Sequence, residues 1–466
     1  MRIVRIFKWI ATVIVTVAIT VFTLSLLGIN FSPLAKDPYF QRFIGLYQKV
    51  KQQYVHLVPN QTLFQGAMRG LVDSLHDPFS RYMDPAETAR FQEMVTGQFV
   101  GIGAILTSDG MYAVITQILS HSPAQQQGLR VGDRIMKINA QTVSGWNLRN
   151  VVMAMRGKAG THVHVLILRN GKPMQFAILR KPLVEQTVFA RMLTPAIGDI
   201  YIAQFSGHTA NDFARAWQNL RRQGMRGAII DVRDNPGGYL ESVNAIASDL
   251  LPKGAVIEQI ESRMGKKNVF RASGAVQQMP IVCLINHQSA SAAEILAASL
   301  QESGHHPIIG GQSYGKGTVQ ETLALTDGSS LKLTIAKWLT PLGHSITHLG
   351  VHPNLSIATP EFAKLPPLQV GYQKAITLDS VNLQTAIAQR MLRALHFSTD
   401  RTDGYFDEST KIALTAFQRK YGLMQTGLLN TATAYQLNIA LMAMRIRLDP
   451  VRLAAIGYLQ KKLMAA

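Results

Sequence analysis

The sequence predicts a multidomain chain of α/β class: an N-terminal transmembrane helix, a helical segment, a small β-rich domain, an α/β core and a C-terminal helical domain. Three observations predict it. A run without charged side chains extends from Trp9 to Ala35. Short β-rich segments separated by Gly turns, between about Phe99 and Leu179, give way from Ile200 to apolar runs alternating with helical stretches. After a Pro-containing loop at Pro360 to Pro367 the pattern becomes helical, from about Thr377 to Leu441. The boundaries that follow are 1–35 for the anchor, 36–95 for the helical region, 96–182 for the β-rich domain and 183–365 for the core. The C-terminal helical domain is then 376–441, followed by a basic tail at 442–466.

Composition bounds the reading. The 466 residues suffice for two or three domains, and 47% apolar residues argue against a mostly disordered chain. A net charge of +19 fits a polyanionic neighbour, whether phospholipid, cell-wall polymer or nucleic acid. The single Cys excludes an intrachain disulfide and a Cys-based zinc cluster.

At the N-terminus, Arg2, Arg5 and Lys8 precede the apolar run, and Trp9 to Ile29 is mainly Ile, Val, Leu, Phe and Thr. A helix of that length rises about 31 Å, close to the hydrocarbon thickness of roughly 30 Å, and satisfies its own backbone hydrogen bonds there. The cationic flank predicts a single-pass anchor with a cytoplasmic N-terminus and the remaining chain outside the cell. A cleaved secretory peptide is the rival, but the run is longer than usual for one and no convincing small-x-small site follows.

Beyond the anchor, Phe40, Phe43, Ile44 and Tyr47 share one helical side, and Leu63, Ala67, Met68, Leu71, Val72 and Leu75 another. DPFS, Asp77 to Ser80, ends the second helix. These early helices could support a homodimer. The strand-like runs GIGAIL, YAVITQI, HVHVLIL and MQFAIL come next, with a short helix near Ser144 to Met155. From Ile200, YIAQF leads to a helix over Thr209 to Arg222, then to GAIIDVRD and a helix opening around Tyr239. A second cycle runs from IVCLI into SAAEILAASLQES and PIIGG, and SLKLTIAKWLT adds a strand. Nearly continuous apolar strands imply helices over both faces of the sheet.

Three polar segments accompany these core strands. In NHQSASAAE, Asn286 to Glu294, a serine at a strand-to-helix junction can present its hydroxyl beside helix N–H groups able to hold negative charge. Ser289 and Ser291 could equally be N-caps. Lys316 in GQSYGKGTVQ lies 25 residues after Ser291, with Gln320 four residues later. A Lys amine kept neutral by partial desolvation could take the Ser291 proton, with Gln320 orienting it. The spacing G-x4-G-K from Gly310 tempts a phosphate-loop reading, but Gly317 stands where a magnesium-binding Ser or Thr is needed and TVQETLALT reads as a strand. In DVRDNPGGY, Asp231 to Tyr239, Gly237 and Gly238 could aim N–H groups at a substrate oxygen and, with the Ala292 N–H, form an oxyanion hole. A purely structural turn, with Asp231, Arg233 and Asp234 as its charged residues, is the alternative.

With these segments in order, the sequence resembles the carboxyl-terminal processing peptidases, the tail-specific serine proteases. SASAAE places Ser291 at the family's nucleophile position, GKGTVQ places Lys316 at its general-base position and Gln320 at its supporting position. DNPGG matches the family's Gly turn, and TPLGHSITHLGVHPN resembles the segment after the catalytic core, with Asn354 replacing the common acidic residue. DPFSRYM resembles the segment before a PDZ domain, and FVGIGA, GLRVGDRIMKIN and RGKAGTHV resemble the PDZ domain itself. That resemblance implies a carboxylate-binding loop at Phe99, Val100, Gly101, Ile102 and Gly103, whose N–H groups would receive a peptide C-terminus. Asp403 to Thr433 resembles a peptidoglycan-binding helical repeat, in which Phe406, Leu414 and Phe417 are expected to pack the core.

Together the resemblances imply a membrane-anchored, extracytoplasmic serine endopeptidase that binds protein C-termini and requires neither metal nor nucleotide cofactor. Peptidoglycan or another anionic wall polymer and the cell membrane are the expected neighbours. No nucleic-acid recognition module follows from the sequence. A noncatalytic wall-associated PDZ scaffold is the alternative, although a scaffold has no need of Ser291, Lys316 and Gln320 together.

Overall fold

A computed structural model describes residues 37–109, 111–274, 279–370 and 375–465. Of the described residues, those up to Asp84 form one compact unit and those from Pro85 a second. In the first, Asp37 caps α1 (Pro38–Gln53) by accepting the Tyr39 N–H at 2.7 Å, and Pro38 occupies the first turn, where no donor is needed. Tyr47 meets Phe64 of α2 (Asn60–Asp73) with ring centroids 4.9 Å apart. The second helix thus ends four residues before the DPFS turn. Among the described residues no helix is long and apolar enough to cross a membrane, and the expected span at Trp9 to Ile29 lies outside them.

The second unit opens with α3 (Pro85–Thr96) and β1 (Gln98–Gly101), then a sheet of β2 (Ala104–Ser108), β3 (Ala113–Ile118), β4 (Arg134–Ile138), β5 (His162–Arg169) and β6 (Lys172–Leu179). Those five strands pair antiparallel in the order β2-β3-β4-β5-β6, with α4 (Leu148–Met155) beside them. In HVHVLIL the residues Val163, Val165 and Ile167 are buried while His162 and His164 are exposed, the alternation of a one-sided sheet. Asn170 and Gly171 both take positive φ, as a two-residue hairpin between β5 and β6 requires. GIGAIL is broken at Gly103 (φ +81°), so its first part belongs to β1, which pairs with β7 (Lys181–Val184).

The core sheet contains β8 (Val188–Met192), β9 (Ile197–Ile202), β10 (Gly227–Asp231), β13 (Ile281–Ile285), β14 (Ile308–Gly310) and β17 (Leu355–Ser356). They pair in the order β8-β9-β10-β13-β14-β17, parallel except for β8. Between them lie α5 (Thr209–Arg222), α6 (Leu240–Leu250), α7 (Ala292–Glu302), the pair β11 (Val256–Ser262) and β12 (Lys267–Arg271), and the hairpin β15 (Thr318–Ala324) and β16 (Ser330–Leu339). On one face Ile200, Ala228, Ile230, Ile281 and Cys283 pack against α5, α6 and α7. Alternate residues, Ile197, Ile229, Val282, Leu284 and Ile309, form the other face.

The C-terminal bundle has α8 (Leu383–Ala394), α9 (Glu408–Lys420) and α10 (Thr431–Arg447), capped by the side chains of Asn382, Asp407 and Asn430. Phe406, Leu414 and Phe417 are buried in its core, as expected. The stretch 442–466, read from the sequence as a basic tail, needs correction. Residues 442–447 complete α10, and Asp449 caps a further helix, α11 (Pro450–Met464), which covers the second face of the core sheet through Val451, Ala455 and Leu459. The physical reason is that face itself: apolar strand residues there need a helix, and the i, i+4, i+8 spacing of these three residues supplies one.

Candidate active site

Ser291 stands between β13 and α7 with φ +56° and ψ −116°, a conformation that side-chain-bearing residues seldom adopt. Its N–H donates to Glu294 Oε2 at 2.8 Å. Lys316 lies in the loop between β14 and β15, and its N–H donates to the same Oε2 at 2.9 Å. Glu294 Oε1 accepts the Gly315 N–H at 2.7 Å and the Ser313 hydroxyl at 2.5 Å. Glu294 is fully buried. One carboxylate, satisfied by four donors, therefore brings the backbones of Ser291 and Lys316 together. Sequence reasoning missed this residue, although Glu three positions after a helix-opening Ser is the spacing of a capping box.

The DNPGG turn leaves β10 and comes against the serine. A Cβ on Gly237 (φ +101°) would sit 2.7 Å from Ser291 Cβ, and one on Gly238 (φ +141°) 1.8 Å from the Phe205 carbonyl oxygen. Both positions thus require glycine. Asn235, also missed, organises the turn. Its amide nitrogen donates to the Ile202 carbonyl at 2.7 Å, its Oδ1 accepts the Gly237 N–H at 2.8 Å, and its carbonyl accepts the Ala290 N–H at 2.9 Å. The expected oxyanion donor at Gly237 is corrected accordingly: that N–H is already committed, and Gly237 serves by its lack of a side chain. The Gly238 and Ala292 N–H groups have no hydrogen-bond partner among the described residues.

Gln320 sits on β15 beside a register shift, its amide nitrogen donating to Thr318 Oγ1 at 2.9 Å and Thr334 Oγ1 at 3.2 Å. Those hydroxyls fix the amide plane of Gln320. Gly317 is closely enclosed, since a Cβ there would lie 2.3 Å from Thr347 Oγ1. Asn354 accepts the Ile308 N–H at 2.8 Å and so ties the segment after the core to β14.

In the β-rich domain, Phe99, Val100 and Gly101 belong to β1 and are paired with Leu183, Pro182 and Lys181 of β7. Ile102 and Gly103 form the turn into β2, with their carbonyls accepting the N–H groups of Ala124 at 2.8 Å and Leu119 at 2.9 Å. Their own N–H groups have no partner among the described residues, the arrangement of an anion-binding turn.

Residues 196–357 match the model of peptidase family S41, 91–168 the PDZ domain, 383–437 a putative peptidoglycan binding domain and 34–88 the N-terminal domain of the activating protease CtpB. Carboxy-terminal processing protease CtpB of Bacillus subtilis (strain 168) is 37% identical over 409 residues, covering 86% of this chain and 85% of that protein. CtpA of the same organism is 35% identical over 436 residues, 92% of either chain. The solved photosystem II D1 C-terminal processing protease is 26% identical, covers 72% of this chain and 89% of its own, and has a TM-score of 0.43. With four domain models matched in order and both Bacillus proteins aligned over most of their length, the chain belongs to the carboxy-terminal processing serine proteases of peptidase family S41.

Proposed function

We propose that this protease is a membrane-anchored, extracytoplasmic endopeptidase working through Ser291 and Lys316. The observation that carries the reading is the Glu294 carboxylate, whose single oxygen accepts the backbone N–H of both residues. Ser291 Oγ attacks the scissile carbonyl carbon while Lys316 Nζ takes its proton. The Gly238 and Ala292 N–H groups receive the oxyanion. Collapse breaks the C–N bond as Lys316 returns the proton to the leaving amine; water, deprotonated by Lys316 Nζ, then attacks the ester carbonyl, and a second collapse breaks the acyl C–Oγ bond as Lys316 returns that proton to Ser291 Oγ. Gln320, itself held by Thr318 and Thr334, keeps the Lys316 amine directed at Ser291.

The PDZ domain selects substrates by their C-termini, with the carboxylate at the Ile102 and Gly103 N–H groups and the peptide backbone along β2, an edge strand of its sheet. Cationic surface and the C-terminal bundle hold the enzyme to anionic wall polymer, and the Trp9 to Ile29 segment holds it to the membrane. Product mapping by mass spectrometry on unfolded proteins with different C-terminal residues tests the reading. Internal cleavage that depends on the tail and disappears in Ser291→Ala and Lys316→Ala is expected. Undiminished hydrolysis by Ser291→Ala overturns the nucleophile, and tail binding without products from the parent favours a scaffold.

A further inference from the structure

The turn that carries Gly238 is held from behind by a part of the chain more than two hundred residues away. Asp231 ends β10, and Arg233 follows it one residue before DNPGG. Arg233 forms two-pronged ion pairs with both Asp231 (Nε to Oδ1 2.8 Å, Nη2 to Oδ2 2.6 Å) and Asp449 (Nη1 to Oδ1 3.0 Å, Nη2 to Oδ2 2.7 Å). Asp449 is at once the N-cap of α11, accepting the Arg452 N–H at 3.1 Å. Arg452 closes the cluster, with Nη2 at 2.9 Å from Asp231, Nη1 at 3.2 Å from Asp449 and Nε at 3.4 Å from Asp199. These five side chains are between 2% and 17% exposed.

The arrangement does more than attach a helix. Val451, Ala455 and Leu459 already attach α11 through apolar burial, and attachment needs no charges. Two-pronged Arg–carboxylate pairs fix planes and angles, which apolar contacts do not. What they fix here is Arg233, and from it the chain enters the turn that lies against Ser291. The other side of that turn is fixed by hydrogen bonds to the nucleophile loop: Ser289 Oγ donates to the Val232 carbonyl at 2.8 Å and Asn286 Nδ2 to Asp234 Oδ1 at 2.8 Å. The turn is thus gripped from both sides, and only one grip comes from the matched peptidase segment, which ends at residue 357. The second arrives after the helical bundle, whose last helix ends at Arg447, two residues before Asp449.

We propose that Asp449 and Arg452 are positioning residues for the oxyanion turn. The catalytic unit is then completed by chain that follows the peptidoglycan-binding-like bundle, which makes the bundle an insertion within the catalytic unit and not an appendage to it. The inference rests on the assignment of the Gly238 N–H as an oxyanion donor.

The test uses the full-length chain and two readouts, steady-state kinetics on a tailed peptide substrate and amide hydrogen exchange of the segment 233–239. Asp449→Asn should lower kcat about tenfold or more while KM stays within about twofold, because a misplaced donor costs transition-state stabilisation and not ground-state binding. Exchange across 233–239 should accelerate. Arg452→Lys keeps the charge and loses the fork, so it should fall between parent and Asp449→Asn. Val451→Ala loosens α11 without touching the cluster and should leave both readouts at the parental level at a temperature where all variants are folded. A kcat loss of the same size in Val451→Ala, or unchanged exchange in Asp449→Asn, overturns the proposal. If the parent itself hydrolyses nothing, the serine-protease reading fails on kinetics while exchange at 233–239 still decides whether the clasp holds the turn.

Discussion

The two faces of the core sheet are covered by different means. One is closed by α5, α6 and α7, helices that lie between the strands in sequence, through a continuous apolar cluster. The other is closed by α11, which returns after the whole C-terminal bundle and combines a smaller apolar contact with the Arg–Asp cluster at its N-terminus. Each face serves one half of the candidate site. The locally closed face carries Ser291 at the start of α7, and the remotely closed face steadies the glycine turn opposite it. The difference teaches that proximity in sequence governs how a face is covered but not how much of the site depends on it.

The largest expected effect separates the two halves. Glu294→Ala removes the buried acceptor of three N–H groups and one hydroxyl, and each buried donor left unsatisfied costs roughly 1–3 kcal/mol. The Ser291 half should lose its geometry, with hydrolysis abolished and stability reduced by about 4 kcal/mol, read by urea unfolding and by the product assay. A Glu294→Ala protein that keeps parental turnover would show that the shared carboxylate does not hold the site. Next comes a matched pair, Leu300→Ala on the local face and Leu459→Ala on the remote one, both residues fully buried. Each should cost about 2–5 kcal/mol. A loss under about 1 kcal/mol for Leu459→Ala alone would make α11 a loose cover and break the comparison.

Legibility in the sequence follows the same division. GAIIDV and IVCLI indicate a sheet covered on both faces, and Ser291 and the glycine turn are legible because each follows the end of such a strand, whereas Lys316, in a loop, is legible only through its motif and its distance in sequence from Ser291. What filled the second face was not visible, since α11 has basic residues among its apolar ones and follows an unrelated bundle. A periodicity that spans only Val451, Ala455 and Leu459 has no meaning until its target face is known. Glu294 is hidden in the sequence for a related reason. Its spacing from Ser291 is local, but three of its four donors come from Ser313, Gly315 and Lys316, across a contact that only the fold makes. Gly237 is legible in place and not in role: the turn lies against Ser291 as the sequence implies, but Asn235 takes the Gly237 N–H.

The smallest effect concerns the charges themselves, and it has opposite signs on the two faces. Beside α6, Glu258 is buried with the Asn244 amide donating to its Oε1 at 2.9 Å, and burial, opposed by the Asn244 amide and the Trp338 indole, pushes its carboxyl up to about 7. The folded chain therefore keeps this proton after the unfolded chain has released it near the ordinary value of 4.5. Its contribution to stability is fully present below that value and is lost as pH rises through about 7. Glu258→Gln should remove this slope and exceed the parent at pH 8 by on the order of 2 kcal/mol, with the advantage vanishing toward pH 5. On the other face burial acts on Asp449 too, but Arg233 outweighs it and holds the carboxyl below its ordinary range. That stability is present at neutral pH and is lost as the solution becomes acid, so Asp449→Asn should be the weaker protein at neutral pH and approach the parent in acid. Unfolding midpoints of both variants across pH read the two slopes together. Parallel slopes for Glu258→Gln and the parent would mean that Glu258 titrates normally, and with it would go the contrast between an unpaired buried acid on one face and a paired one on the other.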